Sequence, residues 1–126
     1  MAGEAAAIRV LVVEDEWLTS QEIEAALSEA GFDVVGTAVS ADEAIAMART
    51  SRPDLVLMDI RLKGRRDGVD AAVEIYRQSG IRSLFISANN DNLTRNRAGS
   101  ANPLGWVPKP FSSRQLVSAI RLALSS

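Results

Sequence analysis

The sequence predicts an α/β fold in which five parallel strands alternate with five helices. Two observations lead to this prediction. Short runs rich in β-branched and aromatic residues alternate with longer segments whose apolar residues recur every three or four positions. The strand-like runs are apolar along most of their length, which is typical of parallel strands covered by helices on both faces. A chain of 126 residues is long enough for one domain with one core.

The first strand is predicted over residues 8–13, and the helix after it is predicted to end at Gly31. Glycine favours this position because the turn that closes a helix needs a left-handed backbone conformation. The apolar residues that mark this helix are Leu18, Ile23, Ala26, Leu27 and Ala30. Residues 32–38 are predicted to form the second strand.

The second helix is predicted to begin at Ser40, because Ser40 and Glu43 have the spacing of a capping box. Its inward residues are expected to be Ala44, Ile45 and Ala48. Pro53 cannot continue a helix. The third strand is predicted after it, over residues 55–59.

A polar loop over residues 60–68 separates the third strand from the third helix, which is predicted to end at Gly80. The residues that mark this helix are Val69, Ala72, Val73 and Tyr76. The fourth strand is predicted over residues 84–87. Residues 89–100 are strongly polar, so the helix there, which ends before Pro103, is expected to be the weakest and to be mobile.

The fifth strand is predicted around residues 106–107, and Ser112 with Gln115 has capping-box spacing at the start of the last helix. The apolar residues of that helix are Leu116, Ile120, Ala123 and Leu124. The folded domain is therefore predicted over residues 8–124, after a disordered lead over residues 1–7.

The composition excludes several classes of function. The chain has no cysteine and no histidine, which excludes disulfides, thiolate catalysis, cysteine metal sites and a histidine general base. The net charge of −2 predicts no direct binding to nucleic acid or to an anionic membrane. The start of the chain lacks the basic region of a signal peptide, and no apolar run reaches the length of a membrane span, so a cytoplasmic location is expected.

Polar residues follow four of the predicted strands at the point where each strand ends. Glu14 and Asp15 follow the first strand, Asp59 ends the third, Ser87 ends the fourth and Lys109 follows the fifth. The carboxyl ends of parallel strands meet at one edge of a sheet, and the strand order 2-1-3-4-5 places the first and third strands side by side. These residues are therefore expected to form one site.

The predicted cluster of carboxylates needs a cation. Carboxylates a few ångströms apart repel by ~3 kcal/mol per pair at an effective dielectric constant of about 20. Oxygen ligands without histidine or cysteine favour Mg²⁺ or Mn²⁺. An ionised Asp59 could then act as a nucleophile on phosphorus, with Lys109 and Ser87 donating hydrogen bonds to the phosphoryl oxygens.

Five short motifs together resemble those of one family. They are Leu11–Glu16 (LVVEDE), Leu55–Asp59 (LVLMD), Asp67–Gly68, Phe85–Ala88 (FISA) and Lys109–Phe111 (KPF). In this order they resemble the receiver domain of bacterial two-component response regulators, the CheY-like group, which has a flavodoxin-like fold with strand order 2-1-3-4-5. The resemblance covers residues 8–124.

The resemblance implies that Asp59 accepts a phosphoryl group from the histidine of a sensor kinase or of a histidine phosphotransfer protein. The implied ligands of Mg²⁺ (or Mn²⁺) are the carboxylates of Glu14, Asp15 and Asp59 and the backbone carbonyl of Arg61. The implied contacts of the phosphoryl group are Ser87, the backbone amide of Ala88, and Lys109. Such a domain acts as a switch, so the chain is not expected to be an enzyme.

The resemblance also implies a switch residue. Trp106 stands three residues before Lys109, at the position of the family's switch aromatic, which turns inward as the residue at Ser87 moves toward the phosphate. This movement reshapes the face of the fourth helix, fifth strand and fifth helix, where a protein partner binds. The chain departs from the family in having tryptophan there instead of tyrosine or phenylalanine. It also lacks the common proline after Asp59, and the resemblance places the Arg61 side chain over the mouth of the site. The expected state is a monomer or a phosphorylation-dependent dimer.

Other functions fit the sequence less well or differ only in how the domain is used. A phosphatase of the haloacid-dehalogenase type needs a second aspartate two residues after the nucleophile, where this chain has Arg61. A P-loop is absent, because no Gly-x4-Gly-Lys-Ser/Thr pattern occurs. A pseudo-receiver that binds partners without phosphorylation, a phosphorelay intermediate or phosphate sink, and a receiver cut from a hybrid kinase or larger regulator stay open.

Overall fold

The computed structural model describes residues 7–88 and 91–125. The strands are β1 (Arg9–Val13), β2 (Asp33–Ala38), β3 (Leu55–Asp59), β4 (Ser83–Ser87) and β5 (Gly105–Pro108). The helices are α1 (Trp17–Glu29), α2 (Ala41–Ser51), α3 (Gly68–Ser79), α4 (Asn92–Ala98) and α5 (Ser113–Ser125), with a 3₁₀ turn at Gly99–Ala101. None of the helices in the described part of the chain has the length and hydropathy needed to cross a membrane. The predicted lead over residues 1–7 lies outside the described residues except for its last position.

The five strands form one parallel sheet in the order β2-β1-β3-β4-β5. This confirms the predicted α/β fold and its strand order. β1 and β3 are neighbours, and Val13 of β1 lies opposite Met58 of β3. Glu14 and Asp59 directly follow this pair, so they lie side by side at the carboxyl edge of the sheet.

Each face of the sheet packs against its own set of helices. The core under α2, α3 and α4 includes Leu11, Met58, Ile75 and Phe85. The core under α1 and α5 includes Val12, Leu57, Ile86 and Leu116. Neighbouring residues such as Leu57 and Met58 lie in different cores because side chains alternate between the two faces of a strand. The carboxyl edge between these two layers is left accessible.

The predicted signals for helix starts are present in the structure. The Ser40 hydroxyl accepts a hydrogen bond from the Glu43 N–H (3.1 Å), as a cap of α2. The Glu43 carboxylate accepts from the N–H of Val39 (2.9 Å), one residue before the position that a complete capping box would use. Ser112 and Gln115 form both bonds of the box at the start of α5, at 2.8 and 3.1 Å.

Helix α4 is the shortest of the described helices, with seven residues. Ala98 is its only buried residue, and Leu93 is 78% exposed. A helix with so little apolar burial gains little from packing, which agrees with the prediction that this helix is the weakest. Its predicted mobility stays a prediction. Two residues of the predicted polar segment, Asn89 and Asn90, lie outside the described residues.

Candidate functional site

Three carboxylates meet at the carboxyl ends of β1 and β3. Glu14 and Asp15 follow β1, and Asp59 is the last residue of β3. One carboxylate oxygen from each residue lies within 4.8 Å of the other two. Glu14 and Asp59 are buried, at 1% and 3% exposed, while Asp15 is half-buried. The structure thus brings together the three acidic residues that the sequence predicts.

One lysine reaches this acidic cluster. The Lys109 ammonium lies 3.3 Å from Glu14 Oε1 and 3.3 Å from Asp59 Oδ2. Lys109 directly follows β5, and its backbone N–H donates to the Ser87 carbonyl (3.0 Å), which fixes the start of its side chain. The peptide bond from Lys109 to Pro110 is cis. The ammonium therefore bridges the two most buried acids of the cluster.

The pKa values of Glu14 and Lys109 reflect this crowding. Burial, a hydrogen bond with Asp59 and the charge of Asp59 together raise the pKa of Glu14 from 4.5 to about 7, against the lowering effects of the Glu16 N–H and Lys109. Burial alone would lower the pKa of Lys109, but the charges of Asp59 and Glu14 outweigh it and raise that pKa. A single ammonium thus leaves much of the negative charge of the cluster unbalanced.

Backbone N–H groups hold each carboxylate in place. The bonds run from Glu16 to Glu14 Oε2 (3.1 Å), from Arg61 to Asp59 Oδ1 (3.1 Å) and from Lys63 to Asp15 Oδ2 (3.2 Å). Two of these donors belong to the loop over residues 60–67, which joins β3 to α3. This loop therefore orients the acids of both strands. The predicted ligand role of the Arg61 carbonyl stays a prediction.

The donor set of the cluster fits a divalent cation. All three side chains offer carboxylate oxygens, which are the hard ligands that Mg²⁺ and Mn²⁺ prefer, and their oxygens are close enough to reach one ion. With every group ionised, three carboxylates and one ammonium give −3 + 1 = −2, and a divalent ion balances that charge. The acidic cluster is therefore a candidate site for a divalent cation.

Ser87 and Ala88 lie at the same edge of the sheet. Asp59 is opposite Ile86 in the register of β3 and β4, so Ser87 comes one position beyond it. Ala88 is exposed and lines, with Lys109 and other residues, a cavity of about 360 Å³ beside the cluster. This placement is compatible with the predicted contacts to a phosphoryl group, which stay predictions.

Trp106 lies on β5, three residues before Lys109, and packs on the core under α4. Its ring stacks on Phe85, with centroids 4.8 Å apart and planes inclined by 26°. The Arg95 guanidinium lies 4.6 Å from the centroid of the Trp106 ring. The indole is therefore held between a buried aromatic ring and a cation. Its predicted switch role stays a prediction.

Gly68 is a sterically constrained position beside Asp59, and the sequence analysis named it only as part of a motif. It begins α3, and its N–H donates to the Ile60 carbonyl (2.9 Å). A Cβ atom at this position would lie 1.9 Å from the backbone oxygen of Asp59. Only glycine lets α3 begin so close to the end of β3. The sequence shows a glycine directly after Asp67, the residue that caps α3. It does not show that the backbone of Asp59 lies beside this glycine.

Comparison with known proteins identifies the family. A family model described as "Response regulator receiver domain" matches residues 10–121. The chain is 38% identical over 117 residues to the transcriptional regulatory protein PdtaR of Mycobacterium tuberculosis, covering 93% of this chain and 57% of PdtaR. It is 32% identical over 120 residues to the phyllosphere-induced regulator PhyR of Methylorubrum extorquens, covering 94% of this chain and 44% of PhyR. The chain thus spans about half the length of these curated relatives.

A solved structure supports the same assignment. The chain is similar to the signal receiver domain of a modulated diguanylate cyclase from Desulfovibrio desulfuricans G20, with a TM-score of 0.87 and 33% sequence identity. The similarity covers 95% of each chain. The match therefore extends over nearly the whole chain.

Proposed function

The chain belongs to the response regulator receiver family and is a receiver domain of two-component signalling, not a classical enzyme; on this premise we propose that Asp59 is its phosphoacceptor. The observation that carries the proposal is the convergence of Glu14, Asp15 and Asp59 within 4.8 Å, with the Lys109 ammonium 3.3 Å from Asp59. A buried carboxylate beside a divalent-cation site and a fixed ammonium is suited to attack phosphorus.

The proposed reaction is phosphoryl transfer from a histidine of a sensor kinase or a histidine phosphotransfer protein. A carboxylate oxygen of Asp59 forms a bond to phosphorus while the bond between phosphorus and the imidazole nitrogen breaks. The imidazole keeps the electron pair of that bond and takes up a proton, and the product is an aspartyl phosphate. Mg²⁺ (or Mn²⁺), held by Glu14, Asp15, Asp59 and the Arg61 carbonyl, would offset the charge of the phosphoryl oxygens.

The chain's own donors complete the proposed site. Lys109 would donate to a phosphoryl oxygen, since its ammonium already lies beside Asp59. The Ser87 hydroxyl and the Ala88 backbone amide, at the end of the neighbouring strand, would donate to the others. Lys109, Ser87 and Ala88 would thus approach the phosphoryl group from the side of β4 and β5.

The proposed output is a protein contact on the face of α4, β5 and α5. Leu93 of α4 and Leu122 of α5 are 78% and 73% exposed, which is compatible with an apolar contact to a partner. Trp106 of β5 would report the state of Asp59 to this face. The longer relatives PdtaR and PhyR are named as regulators. For this chain we propose regulation through protein contacts, with no direct binding of nucleic acid.

Phosphorylation by a small donor tests the function. Incubation with Mg²⁺ and acetyl phosphate is expected to add one phosphoryl group, measured as intact mass. The Asp59→Asn variant and removal of the metal with a chelator should each abolish the gain. Asp42→Asn is a matched control, because Asp42 is an exposed aspartate of α2 that pairs with Arg66 outside the cluster. A wild-type protein without the mass gain, or an Asp59→Asn protein that keeps it, would contradict the proposal.

The Arg61 side chain is expected to affect the lifetime of the aspartyl phosphate. Its backbone N–H is bonded to Asp59, so the side chain begins at the mouth of the site. In Arg61→Ala, water should reach the phosphoryl group more easily and shorten its half-life. The measurement is the loss of phosphoryl mass with time after the donor is removed. A half-life equal to that of the wild type would rule out this role.

A further inference from the structure

Two arginine side chains join helix α4 to its neighbours. Ala98 is the only residue of α4 that is buried. Arg95 and Arg97 are two positions apart, which places them about 200° apart around the helix axis. They therefore reach different neighbours, Arg95 towards β5 and Arg97 towards α3.

Arg97 joins α4 to the first turn of α3. Its guanidinium donates to both carboxylate oxygens of Asp67, each at 3.1 Å, and to Asp70 Oδ1 at 3.2 Å. A bidentate pair of this kind is directional, because the planar guanidinium matches the carboxylate. Asp67 also caps α3 by accepting from the Asp70 N–H (3.0 Å). Burial alone would raise the pKa of Asp67, but the hydrogen bonds from Arg97 and Asp70 lower it.

Asp67 stands next to the residue that touches the phosphoacceptor strand. Gly68 packs against the backbone carbonyl of Asp59 so closely that no side chain fits between them. The same loop places the Arg61 N–H on Asp59 Oδ1. A rearrangement of this loop around an occupied Asp59 would therefore move Asp67, which is the anchor of Arg97.

Arg95 joins α4 to the stacked rings of Trp106 and Phe85. Its guanidinium lies over the Trp106 ring, which stacks on the buried Phe85. Phe85 lies on β4, two residues before Ser87. One arginine of α4 thus contacts the loop of the phosphorylation site, and the other contacts the predicted switch aromatic.

We propose that the ion pair of Arg97 with Asp67 is the link through which the state of the Asp59 site reaches α4 and Trp106. This inference rests on the proposed function, since it concerns the effect of a phosphoryl group on Asp59. Arg97 is then a positioning residue that acts through Asp67. Two sites are coupled when occupancy of one changes the equilibrium of the other, and this coupling is lost when the element that joins them is cut.

Fluorescence of Trp106 tests the link. In a Trp17→Phe background Trp106 is the one remaining tryptophan. Beryllofluoride with Mg²⁺ serves as a stable phosphoryl analogue, and ¹⁹F NMR measures how much of it is bound. Occupancy is expected to change the Trp106 emission in this background. In Arg97→Gln the change in emission should be at least about fivefold smaller at equal occupancy, because the contact that couples the two sites is removed.

Two further variants separate the link from a general effect of charge. Arg77→Gln removes an exposed arginine of α3 that makes no hydrogen bond or ion pair within residues 7–88 and 91–125, and it should keep the full response. Arg97→Lys keeps the positive charge but cannot form the bidentate pair that the planar guanidinium makes with Asp67. It should therefore show part of the wild-type response. It also provides a second test if Arg97→Gln unfolds.

Each outcome decides a different claim. An Arg97→Gln protein that binds beryllofluoride and responds like Arg77→Gln would overturn the link and leave the proposed function intact. So would a Trp17→Phe protein that binds the analogue without any change in Trp106 emission. A protein that neither binds beryllofluoride nor gains phosphoryl mass would overturn the proposed function, and the link with it.

Discussion

Replacing Gly68 with alanine is expected to lower the free energy of unfolding by about 3 kcal/mol and to slow phosphoryl uptake about 100-fold. The added Cβ would lie 1.9 Å from the Asp59 oxygen and 2.9 Å from Ile60 Cα, so backbone must move rather than a flexible side chain. Any shift of α3 pulls on the loop whose N–H groups hold the carboxylates of Asp59 and Asp15. Urea denaturation measures the first effect, and the time course of intact mass with acetyl phosphate measures the second.

Gly99→Ala is the matched control for this prediction. A Cβ at Gly99 meets nothing within 4 Å, and the backbone there is helical (φ −53°), so alanine should leave the stability unchanged or raise it by up to about 1 kcal/mol. Alanine is also the better helix former by up to about 1 kcal/mol, which works against the expected loss at Gly68. If Gly68→Ala were as stable and as readily phosphorylated as Gly99→Ala, the close approach to Asp59 would not constrain the site.

Most of the fold could be predicted because its strands and turns are determined locally. Gly31 and Gly80 follow α1 and α3 with φ of +92° and +75°, a conformation that few residues other than glycine adopt. The strands were found because apolar runs buried on both faces differ from the spaced pattern of a helix. The short runs fit five parallel strands, and the observed order 2-1-3-4-5 is the predicted one.

Helix α1 shows where the sequence pattern fails to predict which residues are buried. Leu18 was among the residues that mark this helix, yet it is 66% exposed. The buried stripe runs instead through Ser20, Ile23 and Leu27, with spacings of three and four residues. Ser20 can be buried because its hydroxyl donates to the Trp17 carbonyl (2.8 Å). Hydropathy alone predicts that Leu18 is buried and Ser20 is exposed. Only the folded helix shows that the Ser20 hydroxyl has a hydrogen-bond partner and can be buried.

The acidic site could be predicted from the positions of the strand ends, but the ion pairs around it could not. The ends of parallel strands must meet at one edge, so Glu14, Asp15 and Asp59 were expected together and are found together. The ion pair between Arg97 and Asp67 joins residues 30 positions apart. The chain has twelve arginines, and the sequence does not indicate which of them pairs with Asp67. Such contacts depend on how α3 and α4 pack, which is decided only after the sheet has formed.

Replacing Lys109 with methionine is expected to lower the free energy of unfolding of the metal-free protein by about 3 kcal/mol. Methionine keeps much of the length of the side chain but removes the ammonium that lies 3.3 Å from both Glu14 and Asp59. Glu14 and Asp59 would then face each other without a cation, and the pKa of Glu14 would rise further because Lys109 no longer lowers it. Mg²⁺ can take over that role, so saturating Mg²⁺ should stabilise Lys109→Met more than it stabilises the wild type. Urea denaturation in a chelator and in Mg²⁺ measures both differences.

The other lysine of the chain provides the control for this prediction. Lys63 lies in the β3–α3 loop, where its backbone N–H binds Asp15 while its side chain is exposed and makes no ion pair within the described residues. Lys63→Met should change the stability by less than about 0.5 kcal/mol and leave the effect of Mg²⁺ unchanged. Equal stabilities of Lys109→Met and Lys63→Met in the chelator would mean that the acidic cluster does not need the Lys109 ammonium for its stability.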